Sequence, residues 1–309
     1  MRPVDVFIVG QPKSGTTALA RFLDEHPGID VSRPKEPGWF GNDLREVSIA
    51  AHGGPSRLVV PDAAAYERCF AHASDDSLLV DASTSSLYSS TAAAEIHAHH
   101  PEARIVALLR DPVTMIASLH RQYLNETTED IADLEAALDA ESDRARGLRV
   151  PARAPVPAYL LYTRRGRYSE QLERYLTTFG REAVLVATAN DLRRAPSQTY
   201  RSVLEHIRAR DTSFQPDFRD VHTAARPRSA AVNRMLRSPA ITGPARRLLG
   251  AQRYTAVQKR VVEPALMRQH GKDELPTTVV ERLRDALGDD LDRTSRLVGR
   301  DLRKEWWSA

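Results

Sequence analysis

The chain has 309 residues, which is enough for one large domain or two small ones with a sizeable core. Its 44 basic and 41 acidic residues leave a net charge of +3, so the charge balance argues against a polybasic nucleic-acid coat although the pI is near 9.1. A single cysteine excludes an internal disulfide framework, and the absence of a long apolar window or signal peptide leads us to expect a soluble, cytoplasmic protein without membrane insertion.

Short apolar runs alternate with helical patterns along the chain. The predicted strands cover residues 4–9, 29–31, 78–80, 105–109 and 184–187. The predicted helices cover residues 16–25, 112–124, 129–146, 158–179 and 196–210. A helical C-terminal part is expected from about residue 245, with Thr277 as N-cap of a helix over residues 279–287.

This alternation is typical of an α/β fold with a parallel sheet. We expect a P-loop-like three-layer fold, with a central parallel sheet flanked by helices, as a single domain over residues 1–309. Residues 32–66 and 125–165 are predicted to be lid or substrate loops, the first because it is rich in proline and glycine. Ligands of such sheets bind beyond the carboxyl ends of the strands, so the segments that start at residues 10, 81 and 110 are the candidate site.

Residues 10–17 read Gly-Gln-Pro-Lys-Ser-Gly-Thr-Thr and resemble a P-loop with a displaced lysine. A Walker A loop carries lysine directly after its second glycine, whereas here Thr16 follows Gly15 and Lys13 precedes that glycine by two positions. The N–H groups that open the next helix still favour an anion. The displaced lysine makes a metal–nucleoside triphosphate a poorer candidate, and a P-loop kinase-like phosphotransferase remains an alternative.

Two segments together resemble one enzyme family. Residues 12–17 are similar to the 5′-phosphosulfate loop of the sulfotransferases that use 3′-phosphoadenosine 5′-phosphosulfate. Residues 109–118 are similar to that family's 3′-phosphate segment, in which an arginine at a strand end precedes a serine by eight residues. The resemblance implies a nucleotide site formed by Lys13, Ser14, Gly15, Thr16, Thr17, Arg110 and Ser118. It also implies activity without a metal, and the histidines show no metal-ligand spacing.

Residues 33–40 read Arg-Pro-Lys-Glu-Pro-Gly-Trp-Phe and are similar to the Lys-Glu-Pro-x-x-Phe element of the carbohydrate-type branch of that family. The resemblance implies that Glu36 is the catalytic base and that Lys35 holds the substrate or orients the sulfuryl group. A solvated Lys-Glu pair in a loop is the alternative interpretation. Ala82 stands where many carbohydrate enzymes of the family carry a lysine, which weakens the case for a highly anionic polysaccharide acceptor.

Two later segments extend the resemblance. Residues 165–175 are similar to the family's Gly-x-Tyr-x-x-Gln-Leu helix, which we interpret mainly as packing, with Tyr168 near the substrate or nucleotide. Residues 226–229, Arg-Pro-Arg-Ser, resemble the late basic loop that closes over the nucleotide, and a charged solvent-facing loop is an equal alternative.

The sequence therefore predicts a sulfotransferase that moves a sulfuryl group to a hydroxyl of a carbohydrate or small natural product. The acceptor attacks sulfur in line, Glu36 takes its proton, and Lys13 neutralises the leaving phosphate. The expected partner is such an acceptor and not a nucleic acid. A non-catalytic nucleotide- or nucleic-acid-binding protein is the third hypothesis, and the balanced charge and the 6% content of aromatic residues argue against it.

Overall fold

The computed structural model describes residues 2–54, 60–218 and 275–308, together with the backbone of two short strands at 225–227 and 267–269. Its central sheet is parallel and has the strand order β2-β3-β1-β4-β5. The strands are β1 (Val6–Ile8), β2 (Ile29–Val31), β3 (Leu78–Asp81), β4 (Arg104–Leu109) and β5 (Val184–Thr188). In the register of the central strand, Phe7 pairs with Asp81 on one side and with Ile105 on the other. The five predicted strands are thus confirmed.

Helices connect the strands and cover both faces of the sheet. They are α1 (Thr16–Asp24), α2 (Asn42–His52), α3 (Ala63–Arg68), α4 (Ala92–His99), α5 (Pro112–Glu126), α6 (Leu134–Asp139), α7 (Glu141–Ala145), α8 (Tyr162–Gly166), α9 (Tyr168–Phe179), α10 (Ala189–Arg194), α11 (Pro196–His206), α12 (Thr277–Val298) and α13 (Leu302–Trp307). Short 3₁₀ turns cover Thr84–Leu87, Pro157–Leu160 and Arg181–Ala183. A separate antiparallel pair joins β6 (Ala225–Pro227) to β7 (Met267–Gln269).

The strands alternate their side chains between two apolar cores, as the period of a β-strand requires. Val6 and Ile8 pack against α1 and α11 on one face of the sheet. Phe7 and Val9 face the other core, to which α4, α5, α9 and α12 contribute. The expected three-layer arrangement is therefore confirmed.

The prediction that residues 32–66 form a loop was wrong in part, because helix α2 occupies Asn42–His52. Its N-terminus follows Gly41, and the N–H groups of Gly41 and Asn42 donate to the carboxylate of Glu95 at 2.8 and 3.0 Å. Glu95 lies more than 50 residues further along the chain. The contact that stabilises the start of this helix is therefore invisible in the local pattern.

The predicted long helix over residues 158–179 is divided into a 3₁₀ turn, α8 and α9. Gly166 ends α8 and packs so closely against Ile116 and Leu287 that a Cβ atom would lie 3.1 and 3.2 Å from their side chains. Helix α9 then begins with the N–H of Tyr168 donating to the carboxylate of Asp290 at 2.7 Å. Tertiary contacts with α5 and α12 thus accompany a break that the local pattern does not predict.

The predicted helix over residues 129–146 begins later and is divided at Ala140 into α6 and α7. At its start, the carboxylate of Glu129 instead accepts hydrogen bonds from the two N–H groups that follow it. Helix α6 then starts at a new N-cap, Asp133. Thr277, which was predicted to be the N-cap of the last long helix, is the first residue of that helix in the structure, and Pro276 is at the N-cap position. Part of the helical prediction from residue 245 lies outside the described residues, as do residues 228 and 229 of the late basic loop.

Candidate active site

Four neighbouring strands end at the same edge of the sheet, and each is followed by a candidate functional segment. Lys13 follows β1, Glu36 follows β2, Thr84 follows β3 and Arg110 follows β4. The strand order β2-β3-β1-β4 therefore arranges these segments in a row. With strands about 4.8 Å apart, the row is about 15 Å long, with the β1 loop between the Glu36 segment and the Arg110 segment.

The loop after β1 needs glycine where it passes β4. A Cβ atom on Gly10 would lie 2.4 Å from the backbone nitrogen of Leu108, so a side chain is excluded there. Two later residues of the loop adopt left-handed backbone angles, Gly15 with φ of 95° and Lys13 with φ of 67°. A positive φ is uncommon for lysine, so the surrounding loop holds Lys13 in a conformation it would otherwise rarely adopt.

The N-terminus of α1 is suited to bind an anion. Gly15 has no side chain to cap it, its first turn contains no acidic residue, and its first intrahelical bond runs from Leu19 N–H to Gly15 C=O at 3.0 Å. The N–H groups of Thr16 and Thr17 therefore lack an intrahelical acceptor. Ser14 is buried, and its Oγ has no hydrogen-bond partner among the described residues. The helix dipole adds to this preference for negative charge.

Arg110 links the two predicted anion-binding segments. Its Nη1 donates to the backbone carbonyl of Lys13 at 2.9 Å, and its Nε donates to Oγ1 of Thr114 at 3.1 Å. The Lys13 side chain is exposed, yet desolvation by the enclosing protein lowers its pKa, against the opposing effect of Glu126. The like charges of Arg110 and Arg121 lower the pKa further. The structure thus brings Lys13 and Arg110 together in a positively charged cluster.

The N-terminus of α5 is capped by a side chain, whereas that of α1 is not. The carboxylate of Asp111 caps it by accepting from the N–H groups of Val113 and Thr114, each at 3.2 Å. The N–H groups of Val113 and Thr114 are therefore not free to bind an anion at the end of this helix. Spacings of four and three residues place three side chains on one face of α5, those of Thr114, half-buried Ser118 and Arg121. Sequence reasoning missed Arg121, although its interval from Ser118 indicates the same helix face.

The helical segment at residues 165–175 contacts both predicted anion-binding segments. The sequence alone had indicated mainly a packing role for it. The hydroxyl of buried Tyr168 donates to the backbone carbonyl of Arg110 at 3.0 Å. The side-chain amide of Gln171 donates to the carbonyl of Arg167 at 2.6 Å and also pairs with the amide of Gln11. This segment therefore contacts the backbone at Arg110 and the side chain of Gln11 in the loop after β1.

Glu36 is held by neighbours on both carboxylate oxygens. Lys35 Nζ donates to Oε1 at 2.7 Å and the hydroxyl of Thr84 donates to Oε2 at 3.0 Å. Lys35 also donates to the carbonyl of Ala82 at 3.3 Å. The Glu36 side chain is 45% exposed, so it reaches solvent while it stays tied to the end of β3. The Lys-Glu pair is thus part of a network and is more than a solvated surface pair.

A buried carboxylate at the end of β3 stabilises the loop that carries Glu36. Asp81, at the end of β3, accepts from the hydroxyl of Tyr66 at 2.9 Å and from the N–H of Ser83 at 2.8 Å. The hydroxyl of Ser83 accepts from the N–H of Gly38 at 3.0 Å, which fixes the Glu36 loop. Burial raises the pKa of Asp81 to about 6, and the charge of Glu36 acts in the same direction.

Within the described ranges, no group of three or more His, Cys, Asp or Glu side chains is arranged to hold a metal ion. None of the helices in the same part of the chain has the length and apolar character needed to cross a bilayer.

Comparison with known proteins identifies the family. The Sulfotransferase family model matches residues 3–207, which is more than half of the chain. Nodulation protein NoeE of Sinorhizobium fredii is 32% identical over 133 residues, covering 38% of this chain and 31% of NoeE. Carbohydrate sulfotransferase 15 of Mus musculus is 26% identical over 227 residues, covering 60% and 40%. The chain thus spans less than half the length of these curated relatives.

A solved structure has the same fold. The crystal structure of a sulfotransferase from Alicyclobacillus acidocaldarius superposes with a TM-score of 0.69 and covers 97% of each chain at 24% identity.

Proposed function

The chain belongs to the sulfotransferase family, and we propose that it transfers a sulfuryl group from 3′-phosphoadenosine 5′-phosphosulfate to a hydroxyl of a carbohydrate or small natural product. The observation that carries the proposal is the row of strand ends, in which an uncapped helix N-terminus with Lys13 lies between Arg110 and Glu36. This order suits a donor with two anionic groups on one side and an acceptor on the other.

The described residues fit the donor. The N–H groups at the start of α1 and the unpartnered hydroxyl of Ser14 are donors for the 5′-phosphosulfate. Arg110 and Ser118 are the groups for the 3′-phosphate, which lies alongside α5 because Asp111 already caps that helix. Arg110 suits a phosphate because its planar guanidinium presents several donors in one plane.

The chemistry follows from the same order. The acceptor oxygen attacks sulfur, the new O–S bond forms, and the bond between sulfur and the bridging oxygen of the 5′-phosphate breaks. The hydroxyl proton passes to the carboxylate of Glu36, which Lys35 and Thr84 orient. Negative charge develops on the leaving phosphate, and the ammonium of Lys13 and the α1 N-terminus stabilise it.

Two observations support the acceptor class that we propose. One relative is named a carbohydrate sulfotransferase, and that name describes the relative alone. The Lys-Glu-Pro element at residues 35–37 resembles the carbohydrate-type branch, and here its glutamate is tied to the end of β3. A carbohydrate or natural-product hydroxyl is therefore the acceptor that we propose.

The first experiment titrates 3′-phosphoadenosine 5′-phosphate into the full chain by calorimetry, with EDTA present. We expect saturable micromolar binding, which Arg110→Ala weakens by about 10- to 100-fold because a charge-assisted phosphate contact is lost. Arg146→Ala makes the same charge change at an exposed site and should leave the affinity near that of the wild type.

Three outcomes contradict the proposal. An absence of nucleotide binding at micromolar concentrations would exclude this donor. Binding or turnover that needs Mg²⁺ and a nucleoside triphosphate would favour the kinase-like alternative. Steeply salt-dependent DNA binding without saturable nucleotide binding would favour the non-catalytic alternative.

A further inference from the structure

A cavity lies between α2, α8 and α9. Its volume is about 380 Å³, which is within the range of pockets that bind small molecules. Leu44 and Tyr88 contribute apolar surface to its lining. The charged side chains of the lining are Asp43, Glu141, Glu170, Arg164, Arg167 and Arg174. Because their formal charges balance, individual contacts and not the net charge of the cavity determine which ligand it can hold.

Direct contacts connect this cavity to the candidate site. Tyr88 lines the cavity and follows the 3₁₀ turn that begins at Thr84, whose hydroxyl donates to Glu36 at 3.0 Å. At about 2.0 Å of rise per residue, this turn spans about 8 Å. Gln171 also lines the cavity, and its side-chain amide pairs with that of Gln11 in the loop after β1. The cavity therefore adjoins the segment that holds the proposed base on one side and the phosphate loop on the other.

The acidic side chains of the cavity already have partners within the protein. Asp43 accepts from the N–H and the hydroxyl of Ser90, each at 2.8 Å. Glu141 accepts from a backbone N–H of α8 at 2.7 Å. Glu170 pairs with Arg174 at 3.1 Å. These contacts engage all three carboxylates and one of the three arginines.

The other two arginines keep their donors available. Arg164 and Arg167 stand three residues apart at the end of α8, and both are exposed. Within the described ranges, neither guanidinium donates a hydrogen bond or pairs with a carboxylate. A ligand in the cavity can therefore reach the donors of both side chains, and an anionic group is the acceptor that these donors suit best.

We propose that this cavity binds part of a saccharide acceptor that carries an anionic group, a carboxylate or a sulfate ester, and that Arg164 and Arg167 hold that group. This inference rests on the proposed function. A guanidinium presents several donors in one plane, which suits the oxygens of either group. Tyr88 lines the same cavity, and an aromatic ring suits the face of a sugar. Because the cavity begins about 8 Å beyond the residue that holds Glu36, the anionic group belongs to a different part of the acceptor from the reacting hydroxyl.

The experiment titrates two matched pairs of probes by calorimetry into the full chain saturated with 3′-phosphoadenosine 5′-phosphate. One pair is the hyaluronan tetrasaccharide and its carboxyl-reduced form, and the other is N-acetyllactosamine with and without a 6-sulfate. We expect the anionic member of at least one pair to bind at least about 10-fold more tightly than its neutral partner. A salt concentration of about 150 mM screens the long-range attraction of a basic protein for any anion. The pair that shows the difference identifies the group as a carboxylate or a sulfate ester.

A double variant tests where the anionic group binds. Arg164→Gln with Arg167→Gln should bring the ratio of the two affinities to about one, because both donors to the anion are lost. The affinity for the nucleotide should stay near that of the wild type, since both residues lie outside the segments proposed to hold it. Arg201→Gln with Arg208→Gln makes the same charge change at exposed positions in and after α11, which packs on the other face of the sheet, and should keep the wild-type ratio.

The outcomes separate this inference from the proposed function. If the nucleotide binds but the two members of each pair bind equally, or no probe binds, the inference is wrong and the proposed function stands. If the double variant at residues 164 and 167 keeps the wild-type ratio, the anionic group binds elsewhere and the inference is again wrong. Should the double variant fail to fold, the two single substitutions replace it, and each has to lower the ratio. An absence of nucleotide binding by the wild type contradicts the proposed function itself.

Discussion

The loop at the proposed nucleotide end of the site is held by backbone hydrogen bonds, whereas the proposed acceptor end is held by side chains that meet across loops. At the nucleotide end, the first N–H groups of α1 are free to donate, and the N–H of Gln11 donates to the carbonyl of Leu108 at 2.9 Å. At the acceptor end, Glu36 accepts from the hydroxyl of Thr84 at 3.0 Å, and the N–H of Gly38 donates to the hydroxyl of Ser83 at 3.0 Å.

This difference has a consequence for substitution. A loop held by backbone hydrogen bonds keeps its shape when one side chain changes, so a variant there should change the charge and little else. A cluster held by side chains loses both its shape and its chemistry when one member changes. The two ends should therefore differ in how strongly a single substitution lowers kcat.

The largest expected effect is at the acceptor end. Glu36→Gln keeps the shape of the side chain but cannot take a proton, so we expect kcat to fall by about 10²- to 10⁴-fold. The affinity for 3′-phosphoadenosine 5′-phosphate should stay near that of the wild type, because no contact of Glu36 with the nucleotide segments is present among the described residues. Steady-state turnover and calorimetry measure the two quantities. Normal turnover by this variant would show that Glu36 is not the base.

A smaller effect is expected for Lys13→Arg at the nucleotide end. The compact ammonium is a point charge, whereas the guanidinium is wide and flat and would lie beside Arg110 and Arg121. We expect kcat to fall by about 10- to 100-fold, which is less than the loss of a stabilising donor costs, because arginine keeps the positive charge but places it differently. Lys304→Arg makes the same change at an exposed position of α13 and serves as the control.

This substitution also tests the scarcity of lysine in the chain. Only five of the 44 basic residues are lysines, and one of them lies in the phosphate loop. If Lys13→Arg turns over within about twofold of the wild type, the site does not need an amine there, and the scarcity reflects composition alone.

The two ends also differed in how far sequence could predict them. A strand, a glycine turn and a helix follow one another within residues 4–25, so the local pattern alone determines where the α1 N-terminus lies. The interval from Arg110 to Ser118 lies within a strand end and one helix, and the rise of that helix sets its geometry. These segments could be predicted because their geometry is local.

The acceptor end lacks such local signals. Thr84, which holds Glu36, is 48 residues away along the chain, and Ser83, which accepts from the N–H of Gly38, is 45 residues away from it. The local sequence likewise does not show that α8 ends at Gly166, where it packs against α5 and α12. Side chains that meet only through tertiary packing cannot be paired from one sequence without knowledge of the fold.

The last effect is on stability and not on turnover, and it concerns Asp81, the buried carboxylate that supports the acceptor end. Its pKa is raised from 3.8 to about 6 in the folded protein. Between pH 4 and 6 the folded state therefore keeps a proton that the unfolded state releases, so stability falls as the pH rises through this range and is constant above it. The difference of about two pKa units corresponds to at most about 3 kcal/mol.

Asp81→Asn should remove this contribution and flatten the pH dependence of the free energy of unfolding between pH 4 and 6. Urea denaturation at several pH values measures the slope, and Asp76→Asn, at an exposed position, should keep the slope of the wild type. Parallel profiles for the wild type and Asp81→Asn would mean that the hydrogen bonds from Tyr66 and Ser83 outweigh burial and keep Asp81 ionised. In that case Asp81 would stay negatively charged between pH 4 and 6. The Ser83–Gly38 contact that positions the loop of Glu36 would then be held by a fixed charge and not by a group that titrates.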